Sequence, residues 1–249
     1  MLKKISILLF FIFATSQAQT LPKELTNKKI INFIKENDIK IASFDEVKEA
    51  VLKNIEGKGD TVIIDSRTKA NFEESHIPTA LNFDSADKVK MDKNRKIIVY
   101  CRGYGCGSAA VFTKALMNLG YKNVKTYLGG MPEWRKKFFR EAGRSDFING
   151  FYKHTVLFID VRSFDEFLKG TIPGALWIEQ KSMEKFEKLL PIDKNYPIVI
   201  FAKDENDKRA FYGAWKLFFD FGYKNTKYYK GGFESYKNER MPIAVSFSM

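Results

Sequence analysis

The chain has 249 residues and a formal net charge of +12, with 45% hydrophobic and 15% aromatic residues and no low-complexity tract. That apolar content excludes wholesale disorder, and the length suits one large domain or two small ones. The basic residues are scattered and no nucleic-acid-binding motif accompanies them, so the charge reads as a solvated surface that attracts small anions, with no nucleic-acid partner.

Lys3 and Lys4 precede an apolar run over 5–13, and Ala14-Thr15-Ser16-Gln17-Ala18 then places small residues where a signal peptidase cleaves. The run is too short for a membrane span of about 20 residues, and no cysteine follows it for a lipid anchor. Residues 1–18 are expected to be a cleaved export signal. The protein is then periplasmic or secreted, with no stable membrane span once the signal is gone. Residues 19–38 form an N-terminal extension ahead of a first unit at 39–139.

In that unit Ser43-Phe44-Asp45-Glu46 carries a capping-box signature and opens a helix to about Asn54. Short apolar runs at 62–65, 97–100 and 125–128 read as buried strands, and 109–119 has helical apolar spacing before Gly120. Between the second run and that helix lies Tyr100-Cys101-Arg102-Gly103-Tyr104-Gly105-Cys106-Gly107-Ser108, which holds both cysteines of the chain. Cys101 stands where a strand ends, a glycine-rich turn begins and a helix follows. Inward-pointing N–H groups and the helix start would ease ionisation of a thiol there, which makes Cys101 the candidate nucleophile.

The polar stretch that follows, with Gly143 and Gly150, reads as a linker over 140–153, and a second unit follows at 154–240 with a tail at 241–249. The second unit repeats the first. Leu119–Gly130 and Phe221–Gly232 agree at eight of twelve aligned positions, enough to make the relation internal duplication. Upstream, Val62-Ile63-Ile64-Asp65-Ser66-Arg67 resembles Leu157-Phe158-Ile159-Asp160-Val161-Arg162, and His76-Ile77-Pro78 resembles Thr171-Ile172-Pro173. Ser163-Phe164-Asp165-Glu166 gives the capping-box signal again. Alternating strands and helices predict an α/β fold with a mostly parallel sheet in each unit, and in such sheets ligands gather beyond the carboxyl ends of strands, where Cys101 falls.

Taken together and in order, these motifs resemble the rhodanese (sulfurtransferase) family in a tandem form. They are Asp65 and Arg67 after a buried strand, the segment 76–80, a strand ending in the Cys101 loop, and Gly129-Gly130 followed by Trp134. The resemblance implies two rhodanese-like domains, each a mostly parallel sheet flanked by helices. It further implies that Cys101 accepts a sulfane sulfur from a small anionic donor such as thiosulfate and passes it from a persulfide to a thiol or cyanide. Arg102, Gly103, Tyr104, Gly105, Cys106 and Gly107 would form the substrate-binding loop around it, with the three glycines allowing its N–H groups to point inward. The paired loop cysteines also resemble a subgroup of single rhodanese domains.

In the second unit Ala202 aligns with Cys101, and the loop Ala202-Lys203-Asp204-Glu205-Asn206-Asp207-Lys208-Arg209 has neither thiol nor glycine. Its carboxylates would repel an anion, so the second domain is expected to be inactive and the N-terminal one active. Some two-domain relatives carry a basic substrate-binding residue where this chain has Asn71.

Cys106 has two readings: a small residue filling the loop base, or a thiol that resolves the Cys101 persulfide. A staple between two cysteines so close in sequence would stabilise little, even in an oxidising compartment. Their spacing also exceeds the Cys-x-x-Cys of oxidoreductases, which ranks thiol–disulfide chemistry low. His76 reads as a structural residue, and two isolated histidines with two loop cysteines make no metal site; no cofactor is expected. A phosphatase of the same fold needs an Arg where this chain has Gly107. The competing reading to an enzyme is a sulfur carrier or binding module without turnover, docking on another exported sulfur-carrier protein.

Overall fold

The computed structural model describes residues 20–245, so the expected signal at 1–18 lies outside the described residues. In chain order the elements are α1 (Lys28–Glu36), β1 (Lys40–Ile41), α2 (Phe44–Ile55), β2 (Thr61–Asp65), α3 (Lys69–Glu74), β3 (Ser75–His76), β4 (Leu81–Asn82), β5 (Lys96–Tyr100), α4 (Ser108–Asn118), β6 (Asn123–Tyr127), α5 (Gly130–Lys137), β7 (Arg140–Ala142), α6 (Arg144–Lys153), β8 (Leu157–Asp160), α7 (Phe164–Leu168), β9 (Leu176–Trp177), β10 (Ile198–Phe201), α8 (Arg209–Trp215), β11 (Thr226–Tyr229) and α9 (Gly232–Asn238).

Two α/β units result, each with a sheet flanked by helices. The first sheet has the order β1-β6-β5-β2-β4 and is parallel throughout. The second has the order β3-β7-β11-β10-β8-β9 and is parallel except for β3 against β7. Successive strand residues face opposite layers. Ile64, Val99 and Cys101 pack with Ala109, Phe112 and Leu116 of α4. Ile63, Ile98, Tyr100 and Tyr127 pack on the other side with α2 and α5. The equivalent rungs Asp65–Tyr100–Tyr127 and Asp160–Phe201–Tyr229 end the central strands together, which puts both loops at the carboxyl edge of a sheet.

The Ser43 capping box forms as expected, with Glu46 N donating to Ser43 Oγ and Ser43 N donating to Glu46. The Ser163 box also forms, but it caps α7, the counterpart of α3 and not of α2. Its position explains this: Ser163 lies three residues after Asp160, as Thr68, the cap of α3, lies three after Asp65.

The expected linker is a correction. Residues 140–153 form β7 and α6, the counterparts of β1 and α2, so the second sheet begins as soon as α5 ends. Gly143 and Gly150 misled because here they serve close packing. A Cβ on Gly150 would stand 2.7 Å from Val156 Cγ2, and one on Gly143 would stand 2.1 Å from Glu73 O. The extension at 19–38 contributes α1, whose Ile30 and Ile34 pack with Leu25, Ile39, Ala110 and Leu128.

The two units share one core. Trp134, Phe138 and Phe139 at the end of α5 cluster with Phe211 and Phe218. Phe139 meets Phe211 edge-on at 5.0 Å between ring centroids, and Phe138 meets Trp215 the same way at 5.6 Å. The strand exchange adds a polar tie. β3 belongs to the first unit by sequence yet pairs with β7, His76 opposite Glu141. In the second unit the same place, Thr171, bonds in both directions with Ala244 of the C-terminal tail.

Candidate active site

The loop after β5 is fixed from three sides. Tyr100 O accepts from Ser66 N at 3.0 Å and Ser66 Oγ at 2.9 Å, so the neighbouring strand holds its root. Met131 N donates to Cys101 O at 3.4 Å, and Gly130 lies so close that a Cβ on it would stand 2.3 Å from that oxygen and 2.6 Å from Gly103 N. Gly130 also has φ +52, so only glycine fits there without strain. Cys106 N donates to Gly103 O at 2.8 Å and closes the turn.

Behind the loop, Asp65 and Arg67 form a buried brace. Arg67 Nη2 donates to Asp65 Oδ2 at 2.6 Å and to Ser75 O at 2.7 Å, while Tyr100 Oη donates to the same carboxylate at 2.6 Å. The second unit repeats it with Arg162 on Asp160 and Gly170 O, and Thr171 Oγ1 in place of the tyrosine. Both oxygens of each carboxylate are engaged, which is the condition for burying such a pair at tolerable cost.

Cys101 lies at the floor of a hollow of about 240 Å³, lined also by Ser66, Arg67, Thr68, Asn71, Arg102, Cys106 and Ser108. Among the described residues two arginines and no carboxylate line it, so its field favours a small anion. Asn71 Nδ2 donates to Thr68 Oγ1 at 2.7 Å, which ties down one side of the rim. Both thiols are free.

The thiols differ in charge preference. Burial pushes the Cys101 thiol up, reinforced by its contact with Cys106, and Ser108 and the Ala109 N–H only partly compensate. Its Sγ donates to Cys106 O at 3.3 Å. Burial acts against charge on Cys106 as well, but the Cys101 contact, the Ser108 hydroxyl and the N–H groups of Ser108 and Arg102 outweigh it and bring the thiol to about 7. The turn and the helix start were expected to make Cys101 ionise more easily than a free thiol; burial pushes it up instead. The helix starts at Ser108, and its first N–H groups act on both sulfurs, Ser108 N–H on Cys106 and Ala109 N–H on Cys101.

Among the loop residues expected to bind substrate, Arg102 and Cys106 line the hollow with Cys101, and the other four do not. Gly103, at φ +120, is buried against Pro132 and Gly129 O. Tyr104 turns the other way and donates to Glu133 Oε2 at 3.0 Å. Gly105 is exposed, and Gly107 faces Ile30 of α1. Of the three glycines only Gly103 uses a left-handed backbone. His76 is structural: its ring stacks on Phe72 and its Nδ1 lies 2.9 Å from Phe72 O, away from the hollow. Ser66, Thr68 and Ser108 were not singled out in the sequence; two follow Asp65 on the adjacent strand and one opens α4, positions that become visible once strand order is known.

The loop of the second unit is closed on itself. Ala202 is buried, and the Asp207 carboxylate accepts from Lys203 N and Arg209 N at 3.1 Å each and from Arg209 Nη2 at 2.6 Å. This loop looks onto a cleft between the units, beside Asn54, Gly57 and Thr79. The hollow at Cys101 is lined by the first unit alone. Among the described residues no cluster of three or more His, Cys, Asp or Glu is placed to hold a metal ion, and no helix among them is long and apolar enough to cross a membrane.

The model of the rhodanese-like domain matches the chain twice, over 48–137 and 145–239. A thiosulfate sulfurtransferase GlpE of Coxiella burnetii is 35% identical over 82 residues, 31% of this chain and 75% of that protein. A tRNA sulfurtransferase of Thermoplasma acidophilum is 33% identical over 120 residues, 46% of this chain and 23% of that one. Among solved structures, a thiosulfate sulfurtransferase from Pseudomonas aeruginosa aligns over 84% of this chain and 44% of its own at 17% identity and a TM-score of 0.37. The chain thus spans less than half the length of that structure.

Proposed function

This chain belongs to the rhodanese-like domain family in a two-domain form, and from that premise we propose that it moves a sulfane sulfur from a small anionic donor such as thiosulfate to a thiol or cyanide through a persulfide on Cys101. The observation that carries this reading is the placement of Cys101 Sγ in a carboxylate-free hollow flanked by Arg67 and Arg102. The Cys101 thiolate attacks the outer sulfur of thiosulfate, the S–S bond of the donor breaks and sulfite leaves with its electron pair. An acceptor thiolate or cyanide then takes the outer sulfur and restores the thiolate.

In this reading the domain at 39–139 is active. The second domain, whose start we move from 154 to 140 on the strength of β7 and α6, is inactive because Ala202 offers no nucleophile and Asp207 already fills its loop. An export signal at 1–18 would put the reaction in the periplasm or outside the cell, where an exported sulfur-carrier protein is a candidate acceptor. A hollow lined by one domain alone, open at the Arg102 side, suits a macromolecular acceptor as well as a small one.

The test is sulfite release from thiosulfate by the full chain, with cyanide as acceptor. Multiple turnovers, abolished in Cys101→Ser, support the reading. No sulfite and no sulfur uptake from thiosulfate, polysulfide or thiosulfonate overturns it. Stoichiometric loading without turnover favours the second reading, a carrier without turnover. One observation speaks for that second reading: Arg67 is committed to Asp65 and Ser75 O, which leaves Arg102, among the described residues, as the cation of the hollow without such a partner.

A further inference from the structure

The segment 75–79 is bonded to both domains. Within the first, Ser75 O accepts from Arg67 Nη2 at 2.7 Å, and Ile77 N donates to Tyr100 Oη at 3.1 Å. Tyr100 Oη donates in turn to Asp65 Oδ2 at 2.6 Å, and Tyr100 is the residue before Cys101. Toward the second domain, His76 Nε2 lies 3.3 Å from Glu141 Oε1, and Thr79 N donates to Glu141 Oε2 at 3.1 Å. Tyr228 Oη, from the strand beside β7, donates to the same oxygen at 2.7 Å. Glu141 is thus a buried anchor on the second sheet, and three residues of chain carry its hold to the root of the Cys101 loop. Thr79 keeps a left-handed backbone at φ +65, which a β-branched residue rarely adopts, where the second copy has Gly174 at φ +78. The strained residue stands where the second domain grips the first.

We propose that Glu141 of the second domain is a positioning residue for Cys101: it holds the segment 75–79, which through Ile77 and Tyr100 sets the loop root from which the thiol projects. This inference deepens the persulfide reading and rests on it. The duplication supplies a comparison. In the second copy Phe201 stands where Tyr100 stands in the first, so no hydroxyl links that strand end to the equivalent segment. Thr171, in the place of His76, gives its hydroxyl to Asp160 and its backbone to Ala244 of the tail. The link from a neighbouring sheet to the loop root therefore belongs to the copy that carries the nucleophile. Without the Glu141 carboxylate, the His76 ring and the Thr79 N–H lose their partner in a buried seam, and the segment is free to shift. Tyr100 Oη follows Ile77, and a small displacement of Cys101 is enough to slow its attack on a bound donor. The second domain, which offers no thiol of its own, thereby serves the chemistry of the first.

The experiment is a double-mutant cycle on sulfite release from thiosulfate by the full chain, with wild type, Glu141→Gln, Tyr100→Phe and the double variant. Each single change is expected to lower kcat about tenfold with KM little changed, and the double variant to fall no further than the worse single one. Trp177→Ala, on the opposite edge of the second sheet, is the control for lost stability alone: it lowers the melting temperature and leaves kcat at the wild-type value. An unchanged kcat in Glu141→Gln overturns the proposal. So do losses that multiply in the double variant, or a control that loses as much activity as Glu141→Gln. His76→Asn, which leaves Glu141 its bonds to Tyr228 and Thr79, takes the place of Glu141→Gln in the cycle if that variant misfolds. A wild type that releases no sulfite overturns instead the Cys101 reading beneath it.

Discussion

His76 Nε2 lies 3.3 Å from Glu141 Oε1 in the buried seam where a strand of the first repeat joins the sheet of the second. The other carboxylate oxygen accepts from Tyr228 Oη at 2.7 Å and from Thr79 N at 3.1 Å. Burial resists the Glu141 charge, but His76 and these donors outweigh it and hold the carboxyl below the usual glutamate range. A carboxyl lowered in the folded state contributes stability that is complete above its unfolded value and is lost as pH falls through its folded value. Wild-type stability is therefore expected to drop on acidification through and below the glutamate range. Glu141→Gln should be less stable at neutral pH by about 1–3 kcal/mol and show a flatter acid limb. Urea melts at a series of pH values check both.

Phe138 and Phe139 carry the apolar half of the same seam, both fully buried among Trp134, Phe211, Trp215 and Phe218. Phe138→Ala should cost about 3–5 kcal/mol. Because its ring contacts both repeats, it should also turn a single unfolding transition into two. Calorimetry reads both effects; a single transition at the wild-type temperature would refute this.

Gly130 is the support beneath the Cys101 carbonyl. A methyl there would meet Cys101 O and Gly103 N inside van der Waals contact, on a backbone at φ +52. Gly130→Ala should lose about 1–3 kcal/mol to strain. Sulfite release should fall more than stability does, because the loop itself is displaced. Gly57→Ala, at φ +74 with open space around it, is the control for strain without displacement.

The loop thiols should alkylate in a fixed order. Cys106 is half-buried and brought to about 7, while Cys101 is buried and pushed up. Iodoacetamide near neutral pH should label Cys106 first, with a rate that rises through about 7, and Cys101 later. Peptide-resolved mass spectrometry of a time course reads the order, and labelling of Cys101 first would contradict it.

Much of this was legible in the chain itself. The duplication, the strand runs ending in Asp65 and Tyr100, the Ser43 cap and the Cys101 loop depend on residues close in sequence and stand where local patterning puts them, while the run expected at 125–128 is the strand Asn123–Tyr127. What escaped depends on distant partners. The pairing of β3 with β7 joins two short segments with little pattern of their own. Residues 140–153 look like a linker because Arg144, Ser145, Asp146 and Asn149 give α6 a polar face, while its Phe147 is buried against Phe158 and Tyr229. The charge preference of the Cys101 thiol turns on its burial, which spacing in the sequence does not show.

The account stands or falls on where the sulfur goes. The full chain is loaded with thiosulfate, blocked with an alkylating agent and digested, and the peptide containing the loop is fragmented to place the added sulfur atom. The account predicts one sulfur on Cys101, absent in Cys101→Ser and present in Ala202→Ser. Sulfur on Cys106 in the wild type, or none on either thiol, would contradict it.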